Sequence, residues 1–201
     1  MPKVLSDADI EAFRERLCDI AEQQFAAHGP DGVTLRDLAN AMGVSPMTPY
    51  RYFKDKDAIL AAVRARAFNR FAEAMEKAEA ATRKKGGGQP GEPYIDWALK
   101  NPAAYRMIFD TSQPTSLDYP DLVAAMKRAR ETMTSGWKAL RDAGRFKGDV
   151  DLAGHVYWSV MHGAVMLELT GLLKKPLDAR AIAKRSMAAI AKDPGLAVSK
   201  E

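Results

Sequence analysis

The residues whose types and spacing could do chemistry lie between Thr34 and Lys56. Thr34 stands three positions before Asp37, and an apolar-patterned run from Leu35 to Met42 ends at Gly43, Val44 and Ser45. A hydroxyl three residues ahead of a carboxylate caps a helix start, and a glycine closes a helix in the left-handed conformation. Ser45 is then expected to cap a second short helix, with Pro46 at its first position, running to about Phe53. Two short helices joined by a tight glycine turn form a helix-turn-helix, whose second helix can lie in the major groove of DNA. The chemistry of such a pair is recognition. Ser45 turns the positive end of its helix toward phosphates. Pro46 and Met47 can offer only apolar contact, for example to thymine methyl groups, while Thr48 and Arg51 are the best hydrogen-bonding readers.

Elsewhere the sequence carries little that could catalyse. His155 and His162 are seven residues apart, on one face of a helix but about 10 Å apart along its axis, too far to share a metal ion. His162 reads as a buried polar group or a pocket hydrogen bonder, and His28 as a helix C-terminal residue favoured by the dipole. Cys18 is the only cysteine, which excludes an intrachain disulfide and a cysteine metal cluster. With no glycine-rich phosphate loop after a strand, no metal-ligand spacing and no legible nucleophile constellation, no enzyme is expected, and no cofactor.

The elements that must position these residues are helices. Ala, Leu, Met, Arg, Lys and Glu dominate, while β-branched and aromatic runs are scarce. The expected fold is all-α, about nine helices, with a three-helix helix-turn-helix domain over 1–60 and a helical bundle over 61–201. Ser6 caps the first helix, whose apolar stripe runs Ile10, Phe13, Leu17, Ile20, Ala21 and Phe25 up to Gly29 and Pro30. A long helix follows Asp55, and a flexible loop is expected at about 83–93, where three glycines follow Arg83, Lys84 and Lys85. Further helices are read over 94–100, from Pro102, and over about 120–140, 149–173 and 177–191. The 149–173 helix is apolar nearly all round, so one side can cover its own bundle and the other a partner subunit.

On these residues the chain resembles the TetR family of transcriptional regulators. The resemblance runs from about Phe25 to Leu60 and is carried by Gly43, Val44 and Ser45, then Thr48, Tyr50, Phe53 and Lys56, in the family's order and spacing. It implies that Thr48 and Tyr50 contact DNA in or beside the groove and that Lys56 and Thr34 hold phosphates. Two positions depart from the pattern. Tyr52 stands where the family usually has histidine, keeping a hydrogen-bonding tip that cannot become cationic. Pro49 replaces an aliphatic residue and removes the amide that would donate to the Ser45 carbonyl, which loosens the first turn of the recognition helix. Trp158, His162 and Gly163 are similar to the tryptophan-x-x-x-histidine-glycine signature of the WHG-type C-terminal subgroup, and the run from Asn101 to Phe109 fits the same subgroup.

That resemblance implies a homodimer formed by the helices at about 149–173 and 177–191, a palindromic double-stranded DNA operator, and repression released by a small apolar or amphipathic effector. The effector pocket would draw on Trp97, Tyr105, Phe109, Met126, Trp137, Trp158, Met161, His162 and Met166, although such stripes also serve as plain core. A helical dimerising interaction protein that has lost DNA binding is the alternative, kept open by Pro49 and Tyr52. A DNA-binding regulator without an effector is a third reading.

At 201 residues, with 47% hydrophobic and 28% charged residues, the chain has the balance of a soluble globular protein. No stretch is long and apolar enough for a membrane span, and the N-terminus lacks a signal-like pattern, so a cytoplasmic location is expected. The formal charge is +4. Residues 1–60 hold seven Lys or Arg against ten Asp or Glu, a balance of −3, which leaves +7 for 61–201. Within Ser45 to Lys56, three cations face one anion. The groove-facing edge can therefore be positive although its domain is not, and modest non-specific DNA affinity follows.

Overall fold

Capping chemistry sets where the helices begin. The computed structural model describes residues 6–85, 91–109, 118–190, 192–193 and 195–196. Among these it forms eight α-helices, α1 (Asp7–His28), α2 (Leu35–Met42), α3 (Lys56–Lys85), α4 (Glu92–Lys100), α5 (Pro102–Phe109), α6 (Pro120–Asp142), α7 (Val150–Leu169) and α8 (Ala179–Ile190), with one 3-10 helix, η1 (Pro49–Arg51), and no strand. Ser6 and Thr34 each close a reciprocal capping box with Asp9 and Asp37, which gives two otherwise orphaned amides a partner at each helix start. Asp149 caps α7 through the Leu152 amide at 2.9 Å. At the other end α7 stops at Thr170, short of the expected Leu173, because the Thr170 hydroxyl folds back onto the Met166 carbonyl and Gly171 takes a positive φ. The glycine stretch 86–90, within the expected flexible loop, lies outside the described residues.

The chain folds as two compact units. One joins Met1–Phe68 to Ala103–Met126; the other joins Asn69–Pro102 to Lys127–Glu201. In the first, Leu17, Cys18, Ala21 and Phe25 recur along α1 at helical spacing and pack on Leu38 and Met42 of α2 and on Ile59, Leu60 and Val63 of α3. Met107 of α5 enters the same core. The burial of this stripe, worth about 1.5–3 kcal/mol for each large apolar side chain, holds α2 and the turn after it against α1.

The second unit has a smaller-residue core. Ala153, Ala164 and Val165 of α7 and Ala179 and Ala183 of α8 are buried, as are Tyr94, Ile95 and Ala98 of α4. Small side chains let these helices approach closely. At one end Phe146, Val150 and Ala153 gather Trp137, Leu140 and Val156 into an apolar cluster. The α3 and α6 segments are tied by Arg128, which grips Glu76 through two hydrogen bonds of 2.8 and 2.6 Å and reaches Asn69 at 3.1 Å. Arg180 of α8 pairs with Asp96 of α4. No described helix is long and apolar enough to cross a membrane.

Candidate nucleic-acid interface

Gly43 makes the turn. Its φ of 69° and ψ of 32° lie in the left-handed region, and its amide closes α2 on the Ala39 and Asn40 carbonyls. Beyond Ser45 the chain does not wind into the expected α-helix. The Thr48 amide bonds the Ser45 carbonyl at 2.8 Å, the Arg51 amide bonds Thr48 at 3.1 Å, and the Tyr52 amide bonds Pro49 at 3.0 Å. These are three-residue spacings. Pro49 has no amide with which to reach Ser45 four residues back, so the shorter 3-10 ladder takes over. The Ser45 hydroxyl accepts from the Met47 amide at a long 3.4 Å, a weak cap.

The tight turn sorts the side chains. Pro49 is buried, Thr48 is half-buried, and Met47 and Tyr50 are 68% and 51% exposed. Ser45 and Arg51 are also exposed, so the structure presents Ser45, Met47, Tyr50 and Arg51 outward along one short segment. Tyr52 lies differently, its ring stacked on Phe13 with centroids 3.9 Å apart and planes 18° apart.

Thr34 and Lys56 flank a single turn. The Pro30 carbonyl accepts from Lys56 Nζ at 2.9 Å and from the Val33 amide at 3.4 Å, next to the Thr34 cap. The Thr34 hydroxyl donates to Asp37 at 2.6 Å. That bond, together with the Thr34 amide, holds the Asp37 carboxyl below its ordinary value. Lys56, at the first turn of α3, thus reaches back to the turn between α1 and α2, and its ammonium has two further N–H donors.

One contact beside this segment escapes any local reading. Arg14 of α1 donates from Nη1 to the Tyr52 carbonyl at 2.6 Å and lays its guanidinium over the Phe53 ring, 4.2 Å from the centroid. The two partners are 38 residues apart in the chain, so no sequence motif marks the pair.

The residues expected to line a pocket are distributed. Trp97 sets its edge against Phe71 at 5.1 Å, Phe71 meets Tyr94 at 5.5 Å, and the Trp158 indole N–H donates to the Tyr94 hydroxyl at 3.0 Å. His162 sits 6.4 Å from Trp158, and burial lowers its pKa from the ordinary 6.5, favouring the neutral ring. Met161 is buried with its sulfur against Gly91, where any side chain would collide with it. Met166 is half-buried on α7. Trp137 stands apart from this group, packed on Phe146 and Tyr157. Tyr105, Phe109 and Met126 belong to the first unit, where Tyr105 is fully buried against Phe109 at 4.8 Å and Met126 is partly exposed. Phe71 and Tyr94, which link Trp97 to Trp158, are absent from the expected set because their role emerges only when α3, α4 and α7 meet. Among the described residues no group of three His, Cys, Asp or Glu could hold a metal ion.

Comparisons with known proteins agree with this geometry. The family described as bacterial regulatory proteins, tetR family, matches residues 17–63, and that described as tetracyclin repressor-like, C-terminal domain, matches residues 89–190. The HTH-type transcriptional regulator Mb1846 of Mycobacterium bovis is 21% identical over 192 residues, covering 80% of this chain and 82% of that protein. Among solved structures, a protein of unknown function from Rhodococcus sp. RHA1 superposes with a TM-score of 0.73 at 21% identity, over 94% of this chain and 96% of the other. SmeT, the repressor of the Stenotrophomonas maltophilia multidrug efflux pump SmeDEF, gives 0.61 at 21% identity, over 90% and 91%.

Proposed function

Because the chain belongs to the TetR family of DNA-binding transcriptional regulators, we propose that it is a homodimeric repressor that reads a palindromic operator through the segment Ser45 to Tyr52 and leaves it when a small apolar or amphipathic effector occupies its C-terminal helices. Residues 1–60 are the DNA-binding part in this reading, and 61–201 bind the effector and the second subunit, in the cytoplasm. The observation that carries it is the outward presentation of Met47, Tyr50 and Arg51 directly after the Gly43 turn, with Thr34 and Lys56 flanking the neighbouring turn. Arg51 supplies hydrogen bonds to base edges, Met47 an apolar contact, and Lys56 holds the backbone, while Thr34, whose hydroxyl and amide both donate to Asp37, serves by capping α2 beside it. Names of relatives such as SmeT support repression as the sign of regulation.

Dimerisation is supported by α7. Its exposed positions include Leu152, Ser159, Gly163 and Leu167, which helical spacing collects into one uncharged stripe. A two-fold axis through such a stripe would pair two chains, and a palindrome requires their recognition segments one helical turn of DNA apart, about 34 Å. Effector release is supported by the run of α3 from Lys56 to Lys85, which links the residues of the two compact units in one helix. An effector that prefers one setting of α3 shifts the spacing of the recognition segments, and operator affinity falls by that preference.

Selection of bound duplexes from a random pool tests the reading. Recovery of a palindrome with half-sites about 10 base pairs apart is expected; recovery of no sequence overturns it. For the effector, ligands that raise the melting temperature should weaken operator binding, and a broad set that stabilises without any change in operator affinity removes the effector from the proposal. The shortness of η1 favours one competing reading, a helical dimerising interaction protein with lost or weak DNA binding, and the same selection decides between them.

A further inference from the structure

A three-residue 3-10 helix has little to hold it in one orientation. Within the segment the bonds run from Thr48, Arg51 and Tyr52 to carbonyls three residues back, whose geometry is poorer than in an α-helix, and the Phe53 amide adds one bond four residues back, to Pro49 at 3.0 Å. Two consecutive residues of α1 grip its end instead. Phe13 stacks on the Tyr52 ring, while Arg14 donates to the Tyr52 carbonyl at 2.6 Å and covers the Phe53 ring. Phe53 is itself buried in the core with Leu17 and Leu38. The Tyr52 carbonyl sits at the C-terminal end of η1, where carbonyls lack helical partners and a cation is favoured. Arg14 also lies beside Glu11, at a loose 3.9 Å. Its close contacts are therefore committed to the end of η1.

We propose that Arg14, with Phe13 beside it, is a positioning residue for DNA recognition: from α1 it fixes the tilt of the Thr48 to Tyr52 segment and so sets sequence discrimination without touching a base. The proposal rests on the reading that this segment enters a groove of DNA. It also explains how Pro49 is tolerated. Where the proline removes the helix's own restraint, a tertiary clamp supplies another.

The test uses the full chain, the duplex recovered by selection and a random duplex of equal length. Arg14→Ala is expected to lower affinity for the selected duplex about tenfold or more, the scale of a hydrogen bond to a charged group. Affinity for the random duplex, and the slope of its salt dependence, should stay within about twofold, since no phosphate contact is lost. Arg14→Lys keeps the charge but loses the planar stack, so it should discriminate less than the wild type with an unchanged random-duplex affinity. Pro49→Ala returns an amide that can donate to Ser45, so Arg14→Ala should cost less discrimination in that background than alone. Thermal melts of each variant identify any that fail to fold, and Arg14→Lys then carries the comparison. Equal losses on both duplexes with a shallower salt slope would make Arg14 a phosphate contact and overturn the proposal, as would undiminished discrimination in both Arg14 variants. Absence of binding by the wild-type protein itself would overturn the underlying reading instead, and is seen before any variant is made.

Discussion

In the proposed interface Met47, Arg51 and Lys56 would divide the work of recognition by what each side chain can offer. Arg51 is exposed and carries five donors in a planar fork, so Arg51→Ala should relax sequence preference by roughly 1–3 kcal/mol at one base pair. Lys56 is anchored on the Pro30 carbonyl and offers a point charge. Its replacement by alanine should weaken selected and random duplexes alike, reducing the salt slope by about one. Gel-shift titrations with both duplexes separate the two behaviours; uniform losses in both variants would remove the distinction. Met47 is apolar and 68% exposed. Replacing thymines of the selected operator by deoxyuridine removes one methyl group each. A loss of about fourfold for the contacted position, from about 0.8 kcal/mol per buried methyl, is expected with the wild type and should vanish in Met47→Ala. The polarity of these residues was legible in the sequence because their chemistry is their own. The grip of Arg14 on Tyr52 was not, because it depends on α1 and η1 being brought together across 38 residues.

At the scale of elements, local chemistry was again the readable part. The Thr34 and Asp37 box and the Gly43 stop each act within four residues, and α2 spans Leu35–Met42 as those signals require. The expected recognition helix became a 3-10 segment because one missing amide, at Pro49, outweighs a favourable start signal at Ser45 and Pro46. The end of α7 moved inward for a similarly local reason, as Thr170 and Gly171 terminate a run whose apolar pattern continues beyond them. A pH response is expected from helix α7. Burial favours the neutral His162 ring and lowers its pKa from 6.5. Well above pH 6.5 the ring is neutral both folded and unfolded and adds no pH dependence. As pH falls below that value the unfolded chain takes up a proton that the folded one resists, so stability declines until the lower folded pKa is passed. Melting temperature measured from about pH 7 to 5 should fall, and His162→Gln should flatten that part of the curve; an unaltered slope would assign the effect to another group. Asp9 and Asp37, whose carboxyls are held below 3.8, contribute in a separate and more acid window, where their stabilisation is lost as pH drops through their folded values.

For the whole molecule, charge and symmetry matter more than any one contact. The first sixty residues are net acidic, with the cations of the recognition stretch gathered at Arg51, Lys54 and Lys56. Attraction to DNA would therefore be local, and in the proposed dimer specificity would come from two such edges acting together. Gly163 gives a clean test of that pairing. A Cβ there would meet nothing within 4 Å, so Gly163→Arg leaves its own protomer undisturbed while placing a long cation in the middle of the uncharged α7 stripe. Sedimentation is expected to show a monomer with a wild-type melting profile at matched protomer concentration apart from the lost concentration dependence. Binding to a full palindrome should then fall to that of a single half-site. A dimer of unchanged stability would move the interface elsewhere.

The aromatic chain from Trp97 through Phe71 and Tyr94 to Trp158 has an optical consequence. All three tryptophans of the protein, Trp97, Trp137 and Trp158, belong to the unit of residues 69–102 and 127–201, while the unit of residues 1–68 and 103–126 carries only tyrosines and phenylalanines. Indole emission is thus a native reporter confined to one of the two units. If added operator changes that emission, the signal has crossed from one unit to the other, and its amplitude against operator concentration measures their communication with no label attached.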